Sequence, residues 1–469
     1  MGMEAETVMS FDAIESCLKR GKGAVHLLGV AGFGMAGLAI LLQARGFRVS
    51  GCDLRENRLT DRLKHLGVKV MRGHDPAHIE SGLSAVIRST AVSPAHPEVR
   101  AARERGVPVC RRGEVLAGLI RDRRSIAVSG THGKTTTAAM MAQVLCRTGF
   151  EPDYFVGGEM DHFGGVAASG RGEWMVVEAD ESDGTVSLYE PDIAVITGVD
   201  YDHMEHFDSE EEFVRCFQTF ADRTRERLYY CGEDRMAERV CAHRGISYGL
   251  GRTHDYHVRD LVEEAQATEF SLYRNDRRLG KIRIPVSGRH NVLNALAACA
   301  VCYDQGVSVE SLSGALSRFE PVRRRFERIC GGRGIEVYSD YAHHPAEIRA
   351  VMDSARRLKP RRVVAIFQPH RYSRTRALGP DFPPAFDGVD ELILAPVYAA
   401  SEHPVEGGTV EDLRAHFRTY GRISVVSESS LEAAWNRARD GRREGDLLLI
   451  IGAGDVETIA EWARAEWGA

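Results

Sequence analysis

A glycine-rich loop between a predicted strand and a predicted helix is the feature that most narrows what this chain can fold into. The apolar run SIAV leads into SGTHGKTTT, residues 129–137, and then into the helix-like AAMMAQVLCRTG. Backbone N–H groups at such a helix N-terminus bind phosphate oxygens, while Lys134 adds positive charge and the Thr135 hydroxyl suits Mg²⁺. The common spacing has a glycine where this chain has Val128. The pattern predicts a variant nucleotide-binding loop, with a structural turn as the alternative.

Acidic and histidine clusters follow the next two predicted strands. The strand MVV runs into EADESD, and the strand IAVITGV runs into DYDHMEH. Parallel strands bring their carboxyl ends to one edge of a sheet, so we expect both clusters to meet the phosphate loop. Carboxylates and imidazoles can hold the divalent cation that a triphosphate needs. The alternatives are solvated strand ends for the acids and a zinc site at His203 and His206, although no cysteine partners stand at suitable spacing. The acids and histidines concerned are Glu178, Asp180, Glu181, Asp183, Asp200, Asp202, His203, Glu205 and His206.

A second glycine cluster opens the chain. Gly32, Gly34 and Gly37 stand between the apolar run 24–30 and a helix-like segment, and Asp53 ends the next predicted strand. In a dinucleotide site such glycines let the backbone approach a diphosphate at a helix N-terminus. Three interpretations remain open: an NAD site, a site for another diphosphate-bearing ligand, and a tight turn without a ligand.

Basic and histidine-rich loops mark the last third of the chain. DYAHHPAE (340–347) and FQPHRYSRTR (367–376) each follow a predicted strand. Guanidinium groups bind carboxylate and phosphate through two parallel hydrogen bonds, so these loops suit anionic ligands. A solvated basic loop is the alternative, and the GAGDV segment near the C-terminus reads as a plain turn.

Strands alternate with helices along the whole chain, which predicts an α/β fold with mainly parallel sheets. At about 150 residues per domain, 469 residues allow about three domains. We expect a Rossmann-like N-terminal domain over 1–122, a P-loop ATPase-like central domain over 123–320 and a Rossmann-like C-terminal domain over 321–469. Residues 270–288 read as short antiparallel strands.

The composition excludes several classes of protein. With 43% hydrophobic and 27% charged residues the chain is typical of a folded enzyme, and a net charge of −6 gives no general affinity for nucleic acid. No apolar run approaches the roughly 18 residues of a membrane span, and the N-terminus lacks a signal-peptide pattern. The ten cysteines occur singly, apart from Cys299 and Cys302 within a helix-like segment, and are expected to be reduced. We therefore expect a cytoplasmic protein without membrane insertion.

Nine motifs in order resemble the Mur ligase family. They are SGTHGKTTT, EADESD, DHM, GRHNVLNALAA, RRRFE, DYAHHPAEIRA, FQPHRYSRTR, VYAASEHPVEG and GAGD. The PHRYSRT segment looks like the alanine-adding branch rather than the branch that attaches a whole tripeptide. The resemblance implies peptidoglycan precursor synthesis, in which the lactyl carboxylate of UDP-N-acetylmuramate takes the γ-phosphate of ATP and L-alanine attacks the acyl phosphate. It implies Mg²⁺ as cofactor and leaves a monomer or a homodimer open.

The resemblance also implies roles for individual residues. Catalysis would involve Lys134, Glu178, His203, Arg325, Asp340 and His343, with Thr135, Glu178 and His203 holding magnesium. ATP would contact Gly130, Thr131, His132, Gly133, Lys134, Thr135, Thr136, His290, Asn291, Asn294, Arg325 and Asp340. The UDP-sugar would contact Gly32, Gly34, Gly37, Asp53, His74 and Ser93, and the amino acid and acyl phosphate would contact Tyr341, His343, Arg371 and Arg374. The chain departs from the family pattern at Ala31, Ala36 and Gly198.

Two other functions remain open on the sequence. An NAD-dependent oxidoreductase would use the first glycine cluster and Asp53, but it leaves the Gly133-Lys134-Thr135 loop unexplained. A binding protein ordered by nucleotide would use that loop without chemistry. Acceptor choice is also open, because L-alanine, glycine and L-serine differ by one small group, worth about 1–3 kcal/mol of discrimination.

Overall fold

The computed structural model describes residues 23–200, 207, 209–332, 334–400 and 402–468. The backbone falls into two compact units. Unit 1 comprises the described residues up to 262 together with 269–285 and 291–320. Unit 2 comprises 263–268, 286–290 and the described residues from 321 onwards.

The first sheet lies in unit 1 and has five parallel strands in the order β3-β2-β1-β4-β5. The order reverses between β1 and β4, as in doubly wound α/β sheets. Its strands are β1 (Ala24–Leu28), β2 (Arg48–Asp53), β3 (Lys69–Arg72), β4 (Leu83–Arg88) and β5 (Val109–Arg111). Its helices are α1 (Phe33–Ala44), α2 (Arg58–His65), α3 (Pro97–Glu104) and α4 (Arg112–Leu119).

The second sheet has ten strands in the order β15-β14-β13-β12-β11-β10-β6-β9-β7-β8, and belongs to unit 1 except at residues 263 and 268. The pairings from β13 across to β7 are parallel, and β8 runs antiparallel to β7. Its strands are β6 (Arg124–Ser129), β7 (Asp153–Met160), β8 (Gly165–Ala168), β9 (Trp174–Glu178), β10 (Ile193–Ile196), β11 (Arg227–Cys231), β12 (Ile246–Gly249), β13 (Tyr256–Glu263), β14 (Thr268–Arg274) and β15 (Arg277–Ile284). The helices in this part of the chain are α5 (Lys134–Arg147), α6 (Glu210–Asp222), α7 (Arg235–Cys241), α8 (Arg289–Asp304) and α9 (Val309–Leu316).

The third sheet lies in unit 2 and has six strands in the order β16-β17-β21-β18-β19-β20, with β16 as an antiparallel edge strand. The strands are β16 (Glu327–Gly332), β17 (Ile335–Asp340), β18 (Arg362–Phe367), β19 (Glu391–Leu394), β20 (Ser424–Ser427) and β21 (Asp446–Ile451). The helices are α10 (Pro345–Arg357), α11 (Tyr372–Leu378), α12 (Phe382–Ala385), α13 (Val410–Tyr420), α14 (Leu431–Asp440) and α15 (Glu457–Trp467).

The central strands of these sheets are apolar runs because both of their faces are covered. All four residues of β10 and all six of β21 are buried, as expected for parallel strands between two helical layers. The predicted α/β class with parallel sheets is confirmed. Cys299 and Cys302 are fully buried in α8, and all nine described cysteines are free thiols. Among the helices of the described residues, none has the length and apolar character needed to cross a membrane.

Candidate active site

The phosphate-type loop joins β6 to α5 through two glycines with positive φ. Gly130 has φ of +128° and Gly133 has φ of +82°, which favour glycine. A Cβ atom at position 130 would lie 2.7 Å from the carbonyl oxygen of Gly198, and one at 133 would lie 2.6 Å from Asn294 Oδ1. Both positions therefore exclude side chains, and the sharp turn presents the first N–H groups of α5 at the edge of the sheet.

Lys134 is the first residue of α5, and its ammonium group turns back into the loop. Its Nζ atom donates to the carbonyl oxygens of Gly130 at 2.5 Å and Thr131 at 3.1 Å, and to Glu181 Oε1 at 2.9 Å. Burial lowers the pKa of Lys134, but the carboxylates of Glu181, Asp180 and Glu178 outweigh burial and raise it above its usual value. The lysine is therefore a firmly charged cation at neutral pH.

The loop is fastened to the segment that follows β10. The Thr131 N–H donates to the Gly198 carbonyl at 2.9 Å, and the Thr131 hydroxyl donates to the Asp200 carbonyl at 2.9 Å. The Thr197 hydroxyl donates to the carbonyl of His132 at 2.5 Å. The expected meeting of these strand ends is found for the described residues, and the contact at Gly198 uses its backbone rather than a side chain. His203 lies outside the described residues.

The carboxylates after β9 have distinct partners. Glu178 accepts the Gly157 N–H at 2.7 Å, and Asp180 accepts from Arg112 Nη2 at 2.7 Å. Asp183 accepts from the Thr185 N–H at 3.0 Å. Arg112 begins α4, and no sequence motif pointed to it. Its pairing with Asp180 joins the first sheet's last helix to the acidic strand end.

Helix α8 is hydrogen-bonded to the first part of α5, next to the phosphate-type loop. The Thr137 hydroxyl donates to Asn294 Oδ1 at 3.1 Å, and Asn294 Nδ2 donates to Asn291 Oδ1 at 3.4 Å. The neighbouring Thr135 is buried in the first turn of α5, whereas His132 and Thr136 are half-buried. The predicted Asn291 and Asn294 thus lie beside the loop. His290 belongs to unit 2, and its side chain is exposed.

The first glycine cluster serves packing at two of its three positions. A Cβ at Gly37 would lie 2.9 Å from the Phe155 ring, and a Cβ at Gly34 would lie 2.9 Å from Arg112 Cδ. The N-cap of α1, Gly32, has nothing closer than the Gly29 carbonyl oxygen, 3.6 Å from a Cβ built there. Of the three glycines, Gly32 therefore has the most free space where a side chain would otherwise stand.

The remaining predicted residues of the first sheet have partners within the protein or face solvent. Asp53 Oδ2 accepts the Ala31 N–H at 3.0 Å, which fixes the glycine-rich turn. His74 Nδ1 lies 3.3 Å from Glu98 Oε2, and Ser93 is exposed. Asp53 thus binds the glycine-rich turn that follows β1. In an NAD site, a carboxylate at this position would bind the ribose of the cofactor.

Asp340 ends β17 in unit 2 and holds the RRRFE segment. Its carboxylate accepts the N–H groups of Phe326 and Ala342, each at 2.7 Å. Burial raises the pKa of Asp340 to about 6, against the opposing effects of Arg325 and of these two hydrogen bonds. Two guanidinium groups lie over the Tyr341 ring. The Cζ atom of Arg324 is 4.8 Å and that of Arg325 is 5.5 Å from the ring centroid.

Histidine and arginine side chains meet beside Tyr341. The ring of His343 is 5.7 Å from that of Tyr341 and 5.6 Å from that of His370. Arg374 is buried and its Nη1 lies 3.2 Å from His370 Nδ1. Arg371 has φ of +69°, a strained conformation for a non-glycine residue, and its N–H donates to the Tyr398 carbonyl at 2.9 Å.

Two residues of this cluster were missed as candidates. His370 and Tyr398 stack with ring centroids 5.5 Å apart. Both lie within recognised motifs, PHRYSRT and VYAASEHPVEG, so membership of those motifs was the available signal.

Three family models match successive parts of the chain. The Mur ligase family catalytic domain matches residues 24–124, the Mur ligase middle domain matches 128–302, and the Mur ligase glutamate ligase domain matches 324–454. The chain belongs to the Mur ligase family. It therefore has the family's three-domain α/β architecture and uses ATP as co-substrate.

Curated Mur ligase relatives match nearly the whole chain. The UDP-N-acetylmuramate–L-alanine ligase of Anaeromyxobacter sp. (strain Fw109-5) is 40% identical over 92% of this chain and 95% of the relative. The protein of the same name from Desulforamulus reducens is 39% identical over 93% and 96%. Among solved structures, the UDP-N-acetylmuramate-alanine ligase MurC of Thermotoga maritima matches with a TM-score of 0.80 and 27% identity, over 94% of this chain and 98% of that one.

Proposed function

We propose that this chain joins L-alanine to the lactyl carboxylate of UDP-N-acetylmuramate at the expense of ATP, releasing ADP and phosphate, in peptidoglycan precursor synthesis in the cytoplasm. The observation that carries the proposal is the phosphate loop with Lys134 set against the acidic end of β9. The relatives of that name, about 40% identical along the chain, support the choice of substrates.

The ATP site is proposed around the loop in unit 1. The triphosphate would take over Lys134 from Glu181 and from the carbonyls of Gly130 and Thr131, so that its ammonium neutralises the β- and γ-phosphates. The N–H groups at the start of α5 would bind the same phosphates. The ATP contacts proposed are Gly130, Thr131, His132, Gly133, Lys134, Thr135, Thr136, His290, Asn291, Asn294, Arg325 and Asp340.

Magnesium fits the donors at this edge of the sheet. The Thr135 hydroxyl and the Glu178 carboxylate are oxygen ligands of the kind that Mg²⁺ prefers. Thr135 lies in the first turn of α5, after the loop, and Glu178 ends β9 beside Val128 of β6, before the loop. We propose these two residues and His203 as the holders of the ion. Bound there, Mg²⁺ neutralises charge on the phosphates.

The reaction joins two anions and then expels one. A lactyl carboxylate oxygen forms a bond to the γ-phosphorus while the bond to the β-phosphate oxygen breaks, giving an acyl phosphate and ADP. The alanine amine then attacks the acyl carbon, loses a proton, and expels inorganic phosphate. The proposed cationic residues Lys134 and Arg325 would hold these groups in position. The catalytic residues proposed are Lys134, Glu178, His203, Arg325, Asp340 and His343.

Unit 2 offers a site suited to a carboxylate and a phosphate. Arg374 is buried beside His370, and Tyr341 and His343 flank the same region. A buried guanidinium binds a carboxylate through charge-assisted hydrogen bonds. We therefore propose Tyr341, His343, Arg371 and Arg374 as the residues that receive L-alanine and the acyl phosphate.

The UDP-sugar is proposed to bind the first sheet, with its diphosphate at the N-terminus of α1. Gly32 caps that helix and has the most room for a close approach. The proposed contacts are Gly32, Gly34, Gly37, Asp53, His74 and Ser93.

We propose that the N-terminal, central and C-terminal domains span residues 1–122, 123–320 and 321–469.

Phosphate release tests this function directly. Purified protein with MgATP and UDP-N-acetylmuramate receives L-alanine, glycine, L-serine or the L-Ala-γ-D-Glu-meso-diaminopimelate tripeptide in separate reactions. We expect release that needs both the UDP-sugar and L-alanine, with glycine and L-serine slower by about 10- to 200-fold in kcat/KM. Release with the tripeptide alone, or none with any acceptor, would overturn the proposal.

A matched pair of lysine variants locates the chemistry. Lys134→Ala is expected to lower kcat by at least about 100-fold, because the transferring phosphoryl group loses a positioned charge. Lys281→Ala removes a lysine whose exposed side chain pairs with Glu269 on β14, and is expected to leave kcat unchanged. Near-normal turnover by Lys134→Ala would rule out the role assigned to the loop.

A further inference from the structure

We propose that the first sheet contains a binding site for a zinc-type divalent cation, formed by His26, Cys52, His78 and Glu98. These residues come from β1, from β2, from the 3₁₀ turn Pro76–His78 and from α3. One ligand atom from each lies within 4.8 Å of every other. Tetrahedral Zn²⁺ bonds of 2.0–2.3 Å place ligand atoms about 3.3–3.8 Å apart, so small side-chain adjustments complete the site.

His26 carries the strongest sign of a ligand. It is fully buried, and its Nε2 atom is buried without a hydrogen-bond partner among the described residues. The Ser50 hydroxyl donates to the Val25 carbonyl at 3.3 Å, so it accepts from His26 Nδ1 at 2.9 Å. This arrangement puts the proton on Nδ1 and leaves the Nε2 lone pair for a metal, with the outer hydrogen bond that metal-binding histidines usually make.

Glu98 and Cys52 supply adjacent oxygen and sulfur donors. Both are fully buried, and Cys52 Sγ lies 3.2 Å from Glu98 Oε2. The other carboxylate oxygen, Oε1, lies 2.7 Å from His78 Nδ1. On binding, the Cys52 thiol releases its proton to solvent as the metal–sulfur bond forms, and Glu98 and His78 exchange their mutual hydrogen bond for metal bonds.

The ligand set separates this site from the magnesium of the reaction. One thiolate, two imidazoles and one carboxylate suit Zn²⁺ or Co²⁺, whereas Mg²⁺ takes oxygen ligands. Four protein ligands leave no open position, which is typical of structural zinc sites. His74 and His96 lie alongside, with rings 4.5 Å apart, and His74 Nδ1 is 3.3 Å from Cys52 Sγ. Metal here would link β1, β2 and α3 of the first sheet.

Cobalt spectroscopy of the full chain tests the site. The protein, in buffer with Mg²⁺ and a thiol-free reductant, is titrated with Co²⁺. We expect one ion per chain, a near-ultraviolet thiolate-to-cobalt band and visible absorption of tetrahedral intensity, all abolished by Zn²⁺. Cys52→Ser should remove the thiolate band, and His78→Asn should weaken Zn²⁺ binding at least 10-fold. Cys110→Ser, a buried cysteine on β5 of the same sheet, is the control and should bind as the unmodified protein does.

Thermal unfolding provides a second measurement. Stoichiometric Zn²⁺ should raise the Tm of the unmodified protein and of Cys110→Ser, but not that of His78→Asn, because ligands that bind only the folded state stabilise it. His78 is partly exposed, so this variant keeps the buried part of the cluster intact. Absence of a thiolate band in the unmodified protein, or equal Zn²⁺ affinity for His78→Asn and Cys110→Ser, would overturn the proposal.

Discussion

Replacing Lys134 with methionine removes the cationic partner of a carboxylate that has no exposure to solvent. The Glu181 side chain is fully buried, and Lys134 Nζ lies 2.9 Å from each of its oxygens. Breaking a buried ion pair from one side costs about 3–5 kcal/mol, because the remaining charge stays buried. At about 2 °C per kcal/mol for a large unit, the Tm should fall by about 6–10 °C.

The double variant Lys134→Met/Glu181→Gln shows whether the unpaired charge is the cause. In the double variant, the glutamine amide that replaces Glu181 carries no charge, so no buried charge is left without a partner. The unfolding free energy of the double variant should therefore be about 2–3 kcal/mol higher than that of Lys134→Met alone. Chemical unfolding, followed by tryptophan fluorescence, measures these differences. The exposed pair of Lys281 and Glu269 is the control, and Lys281→Met should change the unfolding free energy by less than about 1 kcal/mol.

Equal stabilities of the single and double variants would refute this reasoning. Such a result would mean that Glu181 does not depend on Lys134 for its charge compensation in the folded protein. The measurement is independent of turnover, since both variants lack the ammonium group and both should be inactive.

Three further predictions concern other parts of the chain. Gly37→Ala should lower the unfolding free energy by about 1–3 kcal/mol, because the new Cβ would lie 2.9 Å from the Phe155 ring. Adding Phe155→Leu to this variant should restore part of the lost free energy. The control Gly314→Ala, whose Cβ would have nothing within 4 Å, should not lower the unfolding free energy. The pKa of Asp340 is about 6 in the folded protein and about 3.8 in the unfolded chain, so the folded state binds the proton more tightly. The contribution of Asp340 to the unfolding free energy is therefore complete below about pH 4 and falls by up to about 3 kcal/mol as the pH rises through 6. The unfolding free energy of Asp340→Asn should lack this dependence on pH. ATP should bind at least 10-fold more weakly in EDTA than with Mg²⁺ by calorimetry, and Glu178→Gln should reduce that difference; equal affinities would contradict the proposed metal site.

Local chemistry made the phosphate loop predictable from the sequence. Positive φ at Gly130 and Gly133, the lysine after them and the strand before them all lie within a few residues of each other. The sequence predicts a helix from Ala138 onwards, after the segment SGTHGKTTT. The structure begins α5 at Lys134, so Thr135 lies in the first helical turn. The first turn of a helix has N–H groups without intrahelical partners, which is what a phosphate site requires.

Contacts between distant segments were not predictable in the same way. Arg112 and Asp180 are separated by 68 positions, and neither periodicity nor spacing connects them. The same holds for Thr137 and Asn294, which are 157 positions apart. The sequence indicated that position 37 needs a small residue, but not that the neighbour is Phe155 rather than a ligand. One sequence identifies a steric requirement without identifying the atom that imposes it.

The charges around β9 bear on how a triphosphate would bind at the proposed site, beside four carboxylates. Arg112 compensates Asp180, and Lys134 compensates Glu181. Asp183 accepts from Thr185, and Glu178 accepts from the Gly157 N–H, which are neutral donors. If ATP takes Lys134 as its counter-ion, Glu181 loses its cation while more negative charge arrives. Additional positive charge would offset this, and the divalent cation proposed near Glu178 would supply part of it. We therefore expect ATP binding at the proposed site to depend on magnesium.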